Sequence, residues 1–210
     1  MLPGPPSSSE LNRIGLRDDE VVSISEFTWW RVHRTEAEHS VPWNAFRTFG
    51  PVARFDPHPQ PPADYPDVGV WYGASTPKAA LGEAFQADRV IDRSFEAPHL
   101  TSLRLTQPVH VLDLATDSRG DWATRSGGTY AFSSAEHAVC RSWARAICAA
   151  FPTLAGIRYN SRFAGAACVA LFLPSQPAMP TTPVTSRALT DPALALRIAA
   201  AADSLGYRVV

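Results

Sequence analysis

Five side chains stand where chemistry could be done if folding gathers them: Arg31, Arg54, Tyr72, Glu83 and Ser161. Glu83 lies in the segment STPKAALGEAF. There Leu81 and Phe85, four residues apart, share a stripe that would face a core, and the acid points away from it among Ala79, Ala80 and Ala87. Small neighbours leave room for backbone or a ligand beside a carboxylate, although an ordinary solvated glutamate has the same spacing. Tyr72 closes an apolar segment and is either a flat stacking ring or a rim residue of the core. Arg31 and Arg54 carry planar forks that suit phosphate or carboxylate, and they suit surface ion pairs equally well. Ser161 follows Asn160 and fits a turn. No base is evident beside it, so a hydrogen-bonding role suits it better than a nucleophilic one.

Stronger signatures are missing. The chain contains no GxGxxG, no phosphate-binding GxxxxGK, no GxSxG and no HExxH. Its six histidines (His33, His39, His58, His99, His110 and His137) lack ligand spacing, so no metal is expected. A Ser-His-Asp site assembled from distant positions has no local support.

The elements that must position these residues follow from periodicity and punctuation. Residues 1–25 open with Pro and Ser, continue with mixed charges, and read as a tail with a short helical turn around Leu11–Leu16. Thr28–Val32, Val68–Tyr72, Thr101–Leu105, Val109–Leu112, Gly156–Tyr159 and Ala167–Leu173 read as strands. Between Phe55 and Pro66 five prolines predict a long exposed loop without regular structure. Thr76 and Pro77 open a helix as N-cap and first residue. Ser133 and Glu136 have capping-box spacing ahead of a helix whose stripe is Val139, Trp143, Ile147 and Phe151, taken as core. Asp191-Pro192 starts an alanine-rich helix that Gly206 ends, and Tyr207–Val210 could pair as a last strand. Strands and helices mix without strict alternation, so an α+β fold with a single domain at 26–210 is expected.

Composition narrows the function classes. Hydrophobic residues make up 45% of the 210, enough for a packed core rather than a disordered chain. The 19 basic and 20 acidic residues give a net charge of -1 with no polybasic run, which argues against a nucleic-acid partner. Cys140, Cys148 and Cys168 lack CxxC spacing and read as reduced thiols. The start MLPGPPSSSE does not resemble a signal peptide, and no apolar run nears the roughly 18 residues of a membrane span. A cytoplasmic protein without membrane contact is expected.

Taken in order, four segments resemble the first half of the RES-domain family. They are Trp30-Arg31-Val32-His33-Arg34, Phe49-Gly50-Pro51-Val52-Ala53-Arg54-Phe55, Val70-Trp71-Tyr72-Gly73-Ala74-Ser75 and Ala80-Leu81-Gly82-Glu83-Ala84-Phe85. The family pattern has a Gly-rich turn ending in an Arg-aromatic pair, a strand ending in Tyr-x-Ala or Tyr-x-Ser, and a helix with Ala-x-x-Glu. Arg54, Tyr72 and Glu83 take those places, and Ser161 in Ile157-Arg158-Tyr159-Asn160-Ser161 matches the family serine. The resemblance covers about residues 28–175. Val52-Ala53 replace the glycines that often precede the family arginine, so closer backbone approach by a ligand is not expected at that turn.

The resemblance implies a mixed, mostly antiparallel sheet with flanking helices, similar to ADP-ribosyltransferases. It also implies action on NAD, with inorganic phosphate as co-substrate in the phosphorylases, and a role as a toxin blocked by an Xre-type antitoxin. In that chemistry Glu83 would stabilise an oxocarbenium-like ribose and Tyr72 would stack on nicotinamide. Arg31 or Arg54 would hold the pyrophosphate, and Ser161 would donate to a phosphate or ribose oxygen. Two other readings stay open: transfer of ADP-ribose to a protein, and a catalytically silent module that binds a protein partner.

Overall fold

A computed structural model describes all 210 residues. In chain order the strands are β1 (Val21–Ser23), β2 (Trp29–Arg34), β3 (Phe49–Gly50), β4 (Ala63–Asp64), β5 (Val70–Ala74) and β6 (Val90–Ile91). They continue with β7 (Pro98–Leu103), β8 (His110–Asp113), β9 (Gly156–Asn160), β10 (Ala167–Phe172), β11 (Thr185–Ala188) and β12 (Arg208–Val209). The helices are α1 (Ser8–Ile14), α2 (Pro77–Ala84), α3 (Trp122–Arg125), α4 (His137–Ala150) and α5 (Ala195–Leu205). Eight strands form one sheet in the order β1-β8-β9-β10-β5-β2-β7-β11. Within it only β8 and β9 run parallel, and the chain crosses between them through α3 and α4. The fold is α+β, as the mixed order of elements predicts, with the mostly antiparallel sheet that the resemblance implies.

Alternation along the central strands divides the interior in two. On β10, Cys168, Ala170 and Phe172 face a core shared with α2, α4 and α5, while Val169 and Leu171 face a smaller one with Trp29 and Trp71. A strand buried on both faces reads as a continuous apolar run, which is why this segment stands out in the sequence. On α4 the predicted stripe is met by Trp143 and Ile147, both fully buried, with Cys140 and Ala144 beside them. Thr76 caps α2 by accepting from the Ala79 amide at 3.2 Å, and Pro77 follows it. Gly206 ends α5 in the left-handed region at φ 66°, a conformation glycine adopts without steric cost.

Three expectations are corrected. The segment read as a tail is docked: Leu2 and Leu11 are buried, the Trp143 indole donates to the Pro3 carbonyl at 2.7 Å, and β1 pairs with β8 at the sheet edge. Two isolated leucines carry no periodicity, so nothing in the sequence marks them as core. The capping box does not form. Ser133 belongs to a 3-10 turn over Tyr130–Ser133 that Thr129 caps, and α4 begins only at His137 without a side-chain cap. The proline-rich stretch is not uniformly exposed, for Phe55, Asp56, Pro57 and His58 are buried and Ala63–Asp64 pairs with β3. Prolines bar ladder hydrogen bonds without barring burial, and Asp56 satisfies the local backbone instead.

Candidate active site

Strands β2 and β7 are registered over six residue pairs, but β2 and β5 share only Trp30–Ala74. Where β2 and β5 lack a ladder, side chains take its place. A cleft of about 460 Å³ lies there, lined by Trp30, Arg31, Arg54, Tyr72, Glu83 and His137 among others. Its volume falls in the range of roughly 300–1,000 Å³ usual for small-molecule sites.

Helix α2 brings Glu83 to this cleft by the rotation the sequence predicts. Leu81 is fully buried and Phe85 nearly so, Ala79 and Ala80 pack closely, and the acid emerges half-buried on the remaining side. The hydroxyl of Ser161, itself 3% exposed, donates to Glu83 Oε1 at 2.7 Å. The serine oxygen in turn accepts from the amides of Phe163 and Ala164 at 3.3 and 3.2 Å, so the turn after β9 fixes its direction. Burial pushes the Glu83 carboxyl above its ordinary value, while the Ser161 bond and the charge of Arg54 draw it back. Ser161 therefore stands behind the acid rather than in the cleft wall.

Tyr72 enters from β5. Its hydroxyl donates to Asp56 Oδ1 at 2.8 Å and accepts from the Phe55 amide at 3.0 Å. Burial and then the Asp56 charge raise its pKa well above the ordinary phenol value, so it remains a proton donor. Asp56 is fully buried and also takes both Arg47 contacts, at 2.8 and 2.9 Å, and the amides of Val52 and Ala53.

Arg31 comes from β2. Its guanidinium lies 5.7 Å from the centre of the Trp71 ring and donates to the Ala45 carbonyl at 3.3 Å, with no carboxylate within ion-pair distance. Trp71 fits because residue 73 is glycine: a Cβ there would sit 2.4 Å from the indole. Burial and the neighbouring Arg47 charge lower Arg31 to about 10, so it stays cationic at neutral pH. Arg54 is 8% exposed and donates to the Ala135 carbonyl just before α4, although its turn lacks the family glycines. His137 opens α4. Burial and then the charges of Arg54, Arg141 and Arg162 hold it below its ordinary value, which favours the neutral ring.

The structure thus brings Arg31, Arg54, Tyr72 and Glu83 to one cleft, with Ser161 bonded to the acid. Sequence reasoning missed Asp56, Arg47 and His137. Asp56 was hidden by the prolines that follow it, and Arg47 by lying outside every periodic segment. His137 carried one available signal, its place just after the predicted helix cap.

The RES domain family model matches residues 28–196, more than half of the chain. The chain belongs to the RES-domain family. A chain of the Mycobacterium tuberculosis MbcT–MbcA toxin–antitoxin complex shares the fold of this RES domain. The TM-score is 0.61 and the identity 19%, over 90% of this chain and 96% of that one. Comparison with curated protein sequences finds no match. No helix of the RES domain is long and apolar enough to cross a membrane, and no group of three or more His, Cys, Asp or Glu side chains could hold a metal ion.

Proposed function

We propose that this RES domain cleaves the nicotinamide–ribose bond of NAD, with inorganic phosphate or water as acceptor, as the toxin of a toxin–antitoxin pair. The observation that carries the reading is the pairing of a half-buried, serine-held Glu83 with Tyr72 and two arginines in one cleft. As the bond from ribose C1′ to the ring nitrogen breaks, its electrons pass to nicotinamide, which leaves neutral and needs no strong acid. Positive character grows on the ribose, and the Glu83 carboxylate stabilises it. Tyr72 supplies a face for nicotinamide. Arg31, without a carboxylate partner, and Arg54 hold phosphate oxygens by charge-assisted bonds. A negatively charged oxygen of phosphate then bonds to C1′, or a water oxygen does so with loss of one proton to solvent. The solved complex of the same fold supports a protein antitoxin as partner, and an Xre-type protein is the one proposed.

Incubation of the purified chain with NAD, with and without phosphate, tests the reading. Free nicotinamide, with ADP-ribose phosphate forming when phosphate is present, supports it. ADP-ribose appearing on protein favours the transferase reading, and unchanged NAD with intact partner binding favours the silent module.

A further inference from the structure

We propose that Asp56 is a positioning residue: it fixes Tyr72 and the Val52–Arg54 turn as a preformed wall of the nucleotide cleft, and it engages Arg47 so that Arg31 is left open to phosphate. The inference rests on the NAD reading above for its substrate and on geometry for the rest. Four groups from three parts of the chain point at one carboxylate that no solvent reaches. They are the Arg47 guanidinium, the Val52 and Ala53 amides, and the Tyr72 hydroxyl. The two oxygens divide the work. Oδ2 holds the turn that leads into Arg54, and Oδ1 takes the phenol, while Arg47 bonds to both.

The Tyr72 hydroxyl has one proton to give and gives it to Asp56. It already accepts from the Phe55 amide, so its ring is held from two directions. The backbone before Arg54, which carries Val52 and Ala53, is fixed by this buried acid. Of the three guanidiniums lining the cleft, Arg47 is matched by a carboxylate, whereas Arg31 and Arg54 have none within ion-pair distance. The anion-binding preference therefore falls on Arg31 and Arg54.

Asp56→Asn separates the two oxygens. An amide oxygen at the Oδ2 position keeps the turn, and its NH2 then meets the Tyr72 hydroxyl, and one of the two Arg47 contacts, with the wrong polarity. The readouts are the ring resonances of 13C-tyrosine in the full chain, with Tyr72 assigned through Tyr72→Phe, and steady-state NAD kinetics. Asp56→Asn should move the Tyr72 resonance and let that phenol ionise at lower pH. It should raise KM for NAD about tenfold, the scale of one hydrogen bond to a charged group, with a much smaller change in kcat. Tyr72→Phe removes the phenol but keeps the Arg47, Val52 and Ala53 contacts to Asp56. In that background the same substitution should cost clearly less than it does in wild type, the remainder being the Arg47 contact. An unmoved Tyr72 resonance, or losses that multiply in the double variant, would overturn the proposal. If the resonance moves while the wild-type chain leaves NAD untouched, Asp56 keeps its hold on Tyr72 and the substrate reading falls alone. Tyr72→Phe with an unchanged KM also overturns it, and does so in a chain whose Asp56 is native.

Discussion

Glu83 is the residue on which activity and stability pull apart. Its carboxyl is raised by burial, so the folded chain holds a proton more tightly there than the unfolded chain does. Stability from that difference is present below the unfolded value near 4.5 and is lost as pH rises through the folded value. Glu83→Gln should therefore melt higher than wild type at neutral pH while losing NAD turnover by on the order of 100-fold. A lower melting temperature with activity retained would refute both halves. Because turnover needs the ionised acid, the acidic limb of kcat/KM should lie above the ordinary glutamate value. Ser161→Ala removes the bond that favours the carboxylate, so the limb should move higher still; a limb that stays put would leave Ser161 a turn residue only. Glu83 was legible because alanines on one face of a short helix leave a visible gap. The partnership of Ser161 with it was not, since 78 residues separate two groups that touch only after the sheet forms.

Elements were legible where period and cap agreed. Strand β10 and helix α2 lie close to their expected positions, because a run of apolar residues and a Thr-Pro start are local facts. Strand ends drifted by two or three residues where pairing partners decide the boundary: Val68–Tyr72 was expected and Val70–Ala74 is found, antiparallel to β10. The capping box at Ser133 was misread because a 3-10 turn, capped from Thr129, competes for the same residues. The two caps give opposite expectations. Thr76→Ala should cost about 1 kcal/mol in urea unfolding. Ser133→Ala should change stability by less than about 0.5 kcal/mol, as a substitution away from any cap does. Equal losses would restore the box.

At the scale of the whole molecule, much of what holds the cleft lies outside the segment that names the family. The match ends at residue 196, yet α5 continues to Leu205 and packs on α2. The Tyr207 hydroxyl donates to the Gly82 carbonyl at 3.2 Å, and β12 runs parallel to β6 beyond the end of α2. Arg197 lies 5.6 Å from the centre of the Trp30 ring on the cleft wall. None of this was readable from the sequence beyond a terminal helix and strand, because a parallel pair leaves no hairpin signal.

That strap has a practical corollary for anyone trimming the gene. A clone cut at residue 196 would still encode every side chain assigned a chemical task, yet it would release the helix bearing the acid on its free side. Such a product should retain far-ultraviolet helical signal while its nicotinamide release collapses, and supplying the missing fourteen residues as a separate peptide should bring part of that release back.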